Sequence, residues 1–236
     1  MHFRIQFLVK YFIELLPYLR VTFTYAGLAL LFGLLFGSVL AAMKLQKVPF
    51  IRWIGVVYTA IFRSIPPVVL LFLVYYGLPQ VVLAVFGYNL QGKDCIFFVI
   101  ITVSILSMVS LSEIIRSAYA SVNRGQYEAA ISMGLHPVMA MIRIVFPQMI
   151  YIALPSIGNV VIYLIKEGSL GFTIGLIDVF GKANSLNQNT YSNYIIEIYL
   201  ALALLYWGVS VLLEKLLRQL EVFFSYEKGR SKAHET

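Results

Sequence analysis

Residues 126–147, QYEAAISMGLHPVMAMIRIVFP, form the one long polar-to-amphipathic segment inside an otherwise apolar chain. The pattern predicts two short helices with a break. The first covers Tyr127 to Met133 and stops at Gly134, a residue suited to a left-handed C-cap. The second begins at Pro137, which fits a helix N1 position, and repeats apolar residues at Val138, Met141, Ile142 and Val145. Ala129, Ala130 and Met133 give the first helix a low face that fits a groove on another protein. The same pattern fits an amphipathic helix on a membrane surface, and local geometry alone favours that second reading.

Around this stretch lie 236 residues that are 60% hydrophobic and 12% charged, with a mean hydropathy of +0.84. A soluble domain does not carry that balance; the class is an all-α polytopic membrane protein with no attached soluble domain. The formal charge of +7 raises the question of nucleic acid. Loop charges on the cytoplasmic side explain it better, so no nucleic-acid partner is expected. Cys95 is the only cysteine, which permits no internal disulfide and no thiolate metal cluster. Arg4, Lys10, Glu14 and Arg20 interrupt the N-terminal apolar run and no small-residue cleavage site follows, so a signal peptide is not expected.

Residues 1–20 carry apolar residues at helical spacing with charges between them, which predicts an interfacial helix. Five spans are expected: Val21–Met43, Trp53–Leu78, Cys95–Ala118, Gln148–Glu167 and Tyr194–Leu216. The membrane-spanning body is 21–221, with a cytoplasmic insert at 120–147 and a charged, frayed cytoplasmic tail at 222–236. Gly33 and Gly37 make a small-xxx-small pair, suited either to a subunit interface or to a neighbouring span. With the N-terminus outside, eleven lysines and arginines fall on inner segments and five on outer ones, so N-out, C-in is expected. That orientation places Gln126–Pro147 in the cytoplasm.

An ionisable group at mid-bilayer costs about 2.5–3.5 kcal/mol, so each one needs a reason. Arg63, Glu113, Lys166 and Glu167 are such groups, with Arg116 near the inner boundary. Glu113 and Arg116 share a helical face three residues apart and read either as a structural pair or as part of a site. Arg63 either faces a translocation path or caps carbonyls freed by Pro66 and Pro67. Tyr75, Tyr76 and Trp207 read as packing and interface aromatics. No enzyme motif is present. The nearest approach to a phosphate loop, GLIDVFGKANS at 175–185, has five residues between its glycines and alanine after the lysine. His2, His136 and His234 lack metal-ligand spacing, and no metal or cofactor is expected.

Glu128-Ala129-Ala130, Gly134 and Ile144-x-Phe146-Pro147 together resemble the EAA signature of membrane permeases in binding-protein-dependent ABC importers, with phenylalanine at 146 where leucine is usual. Ser112-Glu113-Ile114-Ile115-Arg116 and Lys166-Glu167-Gly168-Ser169-Leu170 resemble Ala-Glu-Ile-x-Arg-Gly and Lys-Asp-Thr-Ser-Leu of the polar amino-acid subfamily. Arg63-Ser64-Ile65-Pro66 is similar to its Arg-Gly-Thr-Pro element, with two positions changed.

The resemblance implies the type I importer permease fold, a coupling helix at Glu128, Ala129, Ala130, Met133, Gly134 and Leu135, and partner ATPase subunits that hydrolyse the ATP. It further implies an extracytoplasmic solute-binding protein, a second permease copy, identical or related, and a bacterial inner-membrane location. Glu113, Lys166, Glu167, Ser169 and Arg63 are the candidate substrate-binding residues. Lys166 would take a carboxylate and Glu167 or Glu113 an ammonium, against the alternative that Lys166 and Glu167 neutralise each other. Gly168 in place of threonine removes a hydroxyl. The segment after Lys166 is most similar to cystine and sulfur-amino-acid permeases. The rival classes are a permease for another small solute, a secondary transporter needing no ATPase, and an intramembrane enzyme.

Overall fold

The computed structural model describes the backbone of residues 4–233 and side chains through Val222; His2 and His234 lie outside the described residues. The elements are α1 (Ile5–Leu15), α2 (Leu19–Leu45), α3 (Pro49–Ser64), α4 (Pro67–Phe72), α5 (Leu78–Phe86), α6 (Cys95–Ser121), α7 (Arg124–Ser132), α8 (Pro137–Ala140), α9 (Phe146–Glu167), α10 (Val179–Asn189) and α11 (Ile195–Ala233). No strand occurs among the described residues. Five stretches are long and apolar enough to span a membrane: Ile5–Leu45, Pro67–Phe86, Cys95–Ser121, Pro137–Ile174 and Ile195–Val222.

The core is built on α2 and α6, which lie parallel and in contact along most of their length. Glycine makes the approach possible. A Cβ at Gly33 would overlap the Ser107 hydroxyl, and one at Gly37 would come within 3.1 Å of the Met108 carbonyl. Ser107 Oγ donates across the interface to Ala29 O at 2.8 Å. The small-residue pair therefore serves packing within the chain. Gly27 has nothing within 4 Å of its Cβ position, which supplies a control. Gly33→Ala is expected to destabilise by about 1–3 kcal/mol through overpacking. Gly27→Ala is expected to be neutral or stabilising by up to about 1 kcal/mol, since alanine favours a helix. Thermal unfolding in detergent separates the two; equal shifts would remove the α2–α6 explanation.

Three expectations are corrected. The second span does not run Trp53–Leu78. The chain breaks at Ile65-Pro66, where Pro67 cannot continue α3, and the apolar spanning stretch is Pro67–Phe86. The helix that carries the fourth span begins at Pro137 rather than Gln148, because α8 passes through a π turn at Met141–Val145 directly into α9. The expected frayed tail is instead helical to Ala233.

The N-terminal segment keeps its amphipathic character, but protein covers its apolar side. Tyr11 and Leu15 are buried with Val179 and Ala183 of α10 and Ile198 and Ala201 of α11. Lys182 pairs with Glu14 at 3.2 Å, and the backbone N–H of Arg4 donates to buried Glu197 at 3.0 Å. One end of the molecule thus carries α1, α10 and the start of α11; the other carries α7.

Candidate functional site

The segment at the α7 end is a capped, solvent-facing helix. Asn123 Oδ1 accepts from Gly125 N at 2.9 Å at its start. At its finish Gly134 takes φ +88°, with Leu135 N donating to Ala130 O at 3.0 Å and Gly134 N to Ile131 O at 2.9 Å. That is a Schellman motif, and it needs a left-handed residue at position 134. Glu128 and Ala129 are exposed and Met133 is 85% exposed, whereas Ala130 is buried and Leu135 half-buried. The outward face is therefore Glu128, Ala129 and Met133; Ala130 faces inward and anchors the helix. Gln148 Nε2 donates to Gln126 Oε1 and ties α7 to the first turn of α9.

At its far end α9 gives way to a 3₁₀ turn at Gly168–Ile174. Lys166 is exposed and Glu167 half-buried, and they make no ion pair with each other among the described residues. Ser169 Oγ donates to Lys166 O at 2.5 Å. Glu167 lines a narrow cleft with Pro67, Leu71, Val99, Thr102 and Leu106. Arg63 is exposed at the end of α3, between the Tyr58–Met108 contact and Pro67 of that cleft. Lys166, Glu167 and Ser169 thus share the end of α9, while Arg63 makes no hydrogen bond or ion pair with them among the described residues.

Glu113 does not join them. It lies roughly 10–20 Å further along α6 than the residues facing Glu167, at 1.5 Å rise per residue. Both of its oxygens hold cations: Lys44 Nζ at 2.7 Å on Oε1, and the Arg116 guanidinium at 2.9 Å on Oε2.

Residues 33–222 match the family described as binding-protein-dependent transport system inner membrane component. The chain belongs to this family. The permease is 36% identical over 222 residues to the L-cystine transport system permease protein TcyL of Bacillus subtilis (strain 168), covering 94% of this chain and 89% of the relative. It is 36% identical over 210 residues to the probable amino-acid ABC transporter permease protein PatM of Vibrio harveyi, covering 87% and 91%. Among solved structures it resembles a chain of an amino acid ABC transporter with histidines, at 31% identity and a TM-score of 0.80, covering 94% of this chain and 99% of that one. The permease therefore has the membrane-subunit fold of ABC importers.

Two buried charges of the permease carry no signal in the sequence. Lys44 reads there as a loop cation, yet it is 5% exposed, holding Glu113 and the Ser112 hydroxyl at 2.8 Å. Its partner lies 69 positions away, so no local pattern marks it. Glu113→Gln is expected to strand this ammonium and cost about 3 kcal/mol. Lys44→Met should cost less, because Glu113 keeps Arg116 and is one-third exposed. The double variant should recover much of the loss in detergent unfolding, whereas additive losses would dissolve the pair.

Asp178, between the fourth and fifth spanning stretches, is fully buried. Its Oδ1 accepts from Gly181 N at 2.9 Å, capping α10, and its Oδ2 lies 3.2 Å from the Tyr25 hydroxyl. Tyr25 also lies 3.1 Å from Ile165 O, and its single proton serves only one of these two acceptors fully. When Asp178 is protonated it can donate to Tyr25, leaving the tyrosine proton for Ile165 O; when it is ionised, the Tyr25 hydroxyl donates to Asp178 Oδ2. Consistently, burial pushes the Asp178 carboxyl up to about 6, against the pull of hydrogen bonds from Gly181, Tyr25 and Phe180.

A carboxyl raised on folding favours the fold below its unfolded value, and that contribution is lost as pH rises from about 4 through about 6. Between pH 4 and pH 7 the loss is about 2 kcal/mol. Asp178→Asn should therefore melt higher than the parent at pH 7 and converge with it at pH 4. Parallel melting curves at both pH values would rule this out.

Proposed function

We propose that this permease is the membrane subunit of an ATP-driven importer of amino acids, with L-cystine or another sulfur-containing or polar amino acid as solute. The observation that carries the reading is mechanical. One continuous helical rod, α8 through α9, joins the exposed α7 segment to Lys166 and Glu167. In this reading Glu128, Ala129 and Met133 meet a separate ATPase subunit, with Ala130, Gly134 and Leu135 holding the helix in shape. Lys166 takes the solute carboxylate, and Glu167 takes the ammonium. Ser169 and Arg63 complete the proposed site.

Glu113, held by Lys44 and Arg116, stands closer to the α7 end, where it meets solute after that pairing opens. Closure of the ATPases moves α7, and α9 transmits the movement to the solute level. The permease works in a bacterial inner membrane, N-terminus outside, paired with a second permease copy and served by an extracytoplasmic binding protein. The names of the relatives support an amino acid, and the 36% match to an L-cystine permease supports cystine as the first solute to try.

The test is co-purification with candidate ATPase and binding proteins, then a screen of amino acids for stimulation of ATP hydrolysis. Stimulation by cystine or a polar amino acid is expected. Full assembly with no response to any amino acid would sink the solute class. Uptake by the purified chain alone on an ion gradient would replace the mechanism with that of a secondary transporter.

A further inference from the structure

Lys166, Glu167 and Ser169 straddle the place where α9 tightens into a 3₁₀ turn. Such a switch leaves carbonyls without their helical donors, so something must hold it. Tyr25 of α2 does so from two directions. Its ring fills the space where a side chain at 168 would sit: a Cβ on Gly168 would overlap ring atoms Cε2 and Cζ. Its hydroxyl lies 3.1 Å from Ile165 O, in the last turn of α9, and 3.2 Å from Asp178 Oδ2, at the cap of α10. Tyr25, Asp178 and Gly168 are all buried, the first two completely. One side chain thus contacts residues 165, 168 and 178, and the two charged residues 166 and 167 lie between its first two contacts.

We infer that Tyr25 is a positioning residue for the solute site, with Gly168 as its required counterpart. The ring and hydroxyl of Tyr25 fix the α-to-3₁₀ switch and thereby the directions in which Lys166, Glu167 and Ser169 point. This rests on the assignment of solute to Lys166 and Glu167. It also gives a physical reason for glycine at 168, which as sequence registers only as a missing hydroxyl. A larger residue there has no room while tyrosine occupies position 25.

The experiment uses the full chain, assembled with its ATPase in detergent. Direct binding of the most stimulating amino acid is measured without the binding protein, alongside melting temperature and basal ATP hydrolysis. Tyr25→Phe keeps the ring and removes the hydroxyl. It is expected to weaken binding by about tenfold, equal to about 1.4 kcal/mol, with basal hydrolysis unchanged. Gly168→Ala is expected to lose binding, and Tyr25→Leu combined with Gly168→Ala to regain part of it, since the smaller side chain frees the space.

A fall in melting temperature with parental affinity in both Tyr25→Phe and Gly168→Ala would reduce Tyr25 to packing and overturn the inference. Lys166→Met serves as reference. If it loses binding while Tyr25→Phe does not, only the positioning role fails. If Lys166→Met itself binds normally, the solute site and the inference fall together.

Discussion

Gly134→Val is expected to cut solute-stimulated ATP hydrolysis by the assembled complex about tenfold or more, while the permease itself still folds and inserts. The reason is conformational. Gly134 sits at φ +88°, and its N–H and that of Leu135 close the end of α7 onto Ile131 and Ala130. A β-branched residue in the left-handed region costs on the order of 1–2 kcal/mol. The cheapest relief is to unwind the last turn, since the site is exposed and nothing lies within 4 Å of the position of its Cβ. Unwinding displaces Met133, the most exposed apolar side chain of the segment.

A second variant tests the face without the backbone. Glu128 is exposed and makes no ion pair among the described residues, so Glu128→Arg leaves the permease fold nearly untouched and reverses a charge presented to the partner. Pull-down of the ATPase and stimulated hydrolysis should both fall. Parental values of both, in both variants, would move the docking surface elsewhere.

The caps of α7 were legible in the sequence because glycine and proline act locally. Gly134 ends the helix and Pro137 opens the next one where expected. What the same local logic misplaces is the role of the later prolines. Pro147 reads as the end of the amphipathic segment, and Pro79 lies beyond the expected end of the second span. In the structure each follows a five-residue π turn, Met141–Val145 and Leu73–Gly77, and the helix continues through it. The wide turn uses longer-range hydrogen bonds, as from Phe146 N to Met141 O, so the missing proline donor and the bulk of its ring are accommodated. Only the paired Pro66-Pro67 stops a helix outright.

The charges divide in the same way. Glu113 with Arg116 was readable as an i, i+3 pair, and Lys166-Glu167-Gly168-Ser169 as an unusual polar run in apolar surroundings. Lys44 and Asp178 were not readable, because their partners lie 69 and 153 positions away and only the α2–α6 and α2–α10 approaches bring them together.

Those approaches also decide how the solute-level charges are to be tested. Adjacent residues on a helix point in different directions, and Lys166 and Glu167 do so without pairing. On the proposed assignment they flank a zwitterion rather than cancel each other. Lys166→Met is expected to weaken amino-acid binding by about 30-fold or more, the lower bound for truncating one partner of a desolvated charge pair. A loosened 3₁₀ turn would also weaken binding, so the ligand is varied as well as the protein. The amide of the same amino acid lacks the carboxylate charge. It should bind the parent permease poorly, and it should bind Lys166→Met no worse than it binds the parent. The N-acetyl derivative, which lacks the ammonium, should show the same pattern with Glu167→Gln. Crossing the pairs supplies the control: Lys166→Met with the N-acetyl derivative should lose both increments. Full additivity of the Lys166 and amide losses would mean that the lysine and the carboxylate never meet, and the solute would have to be bound elsewhere in the path.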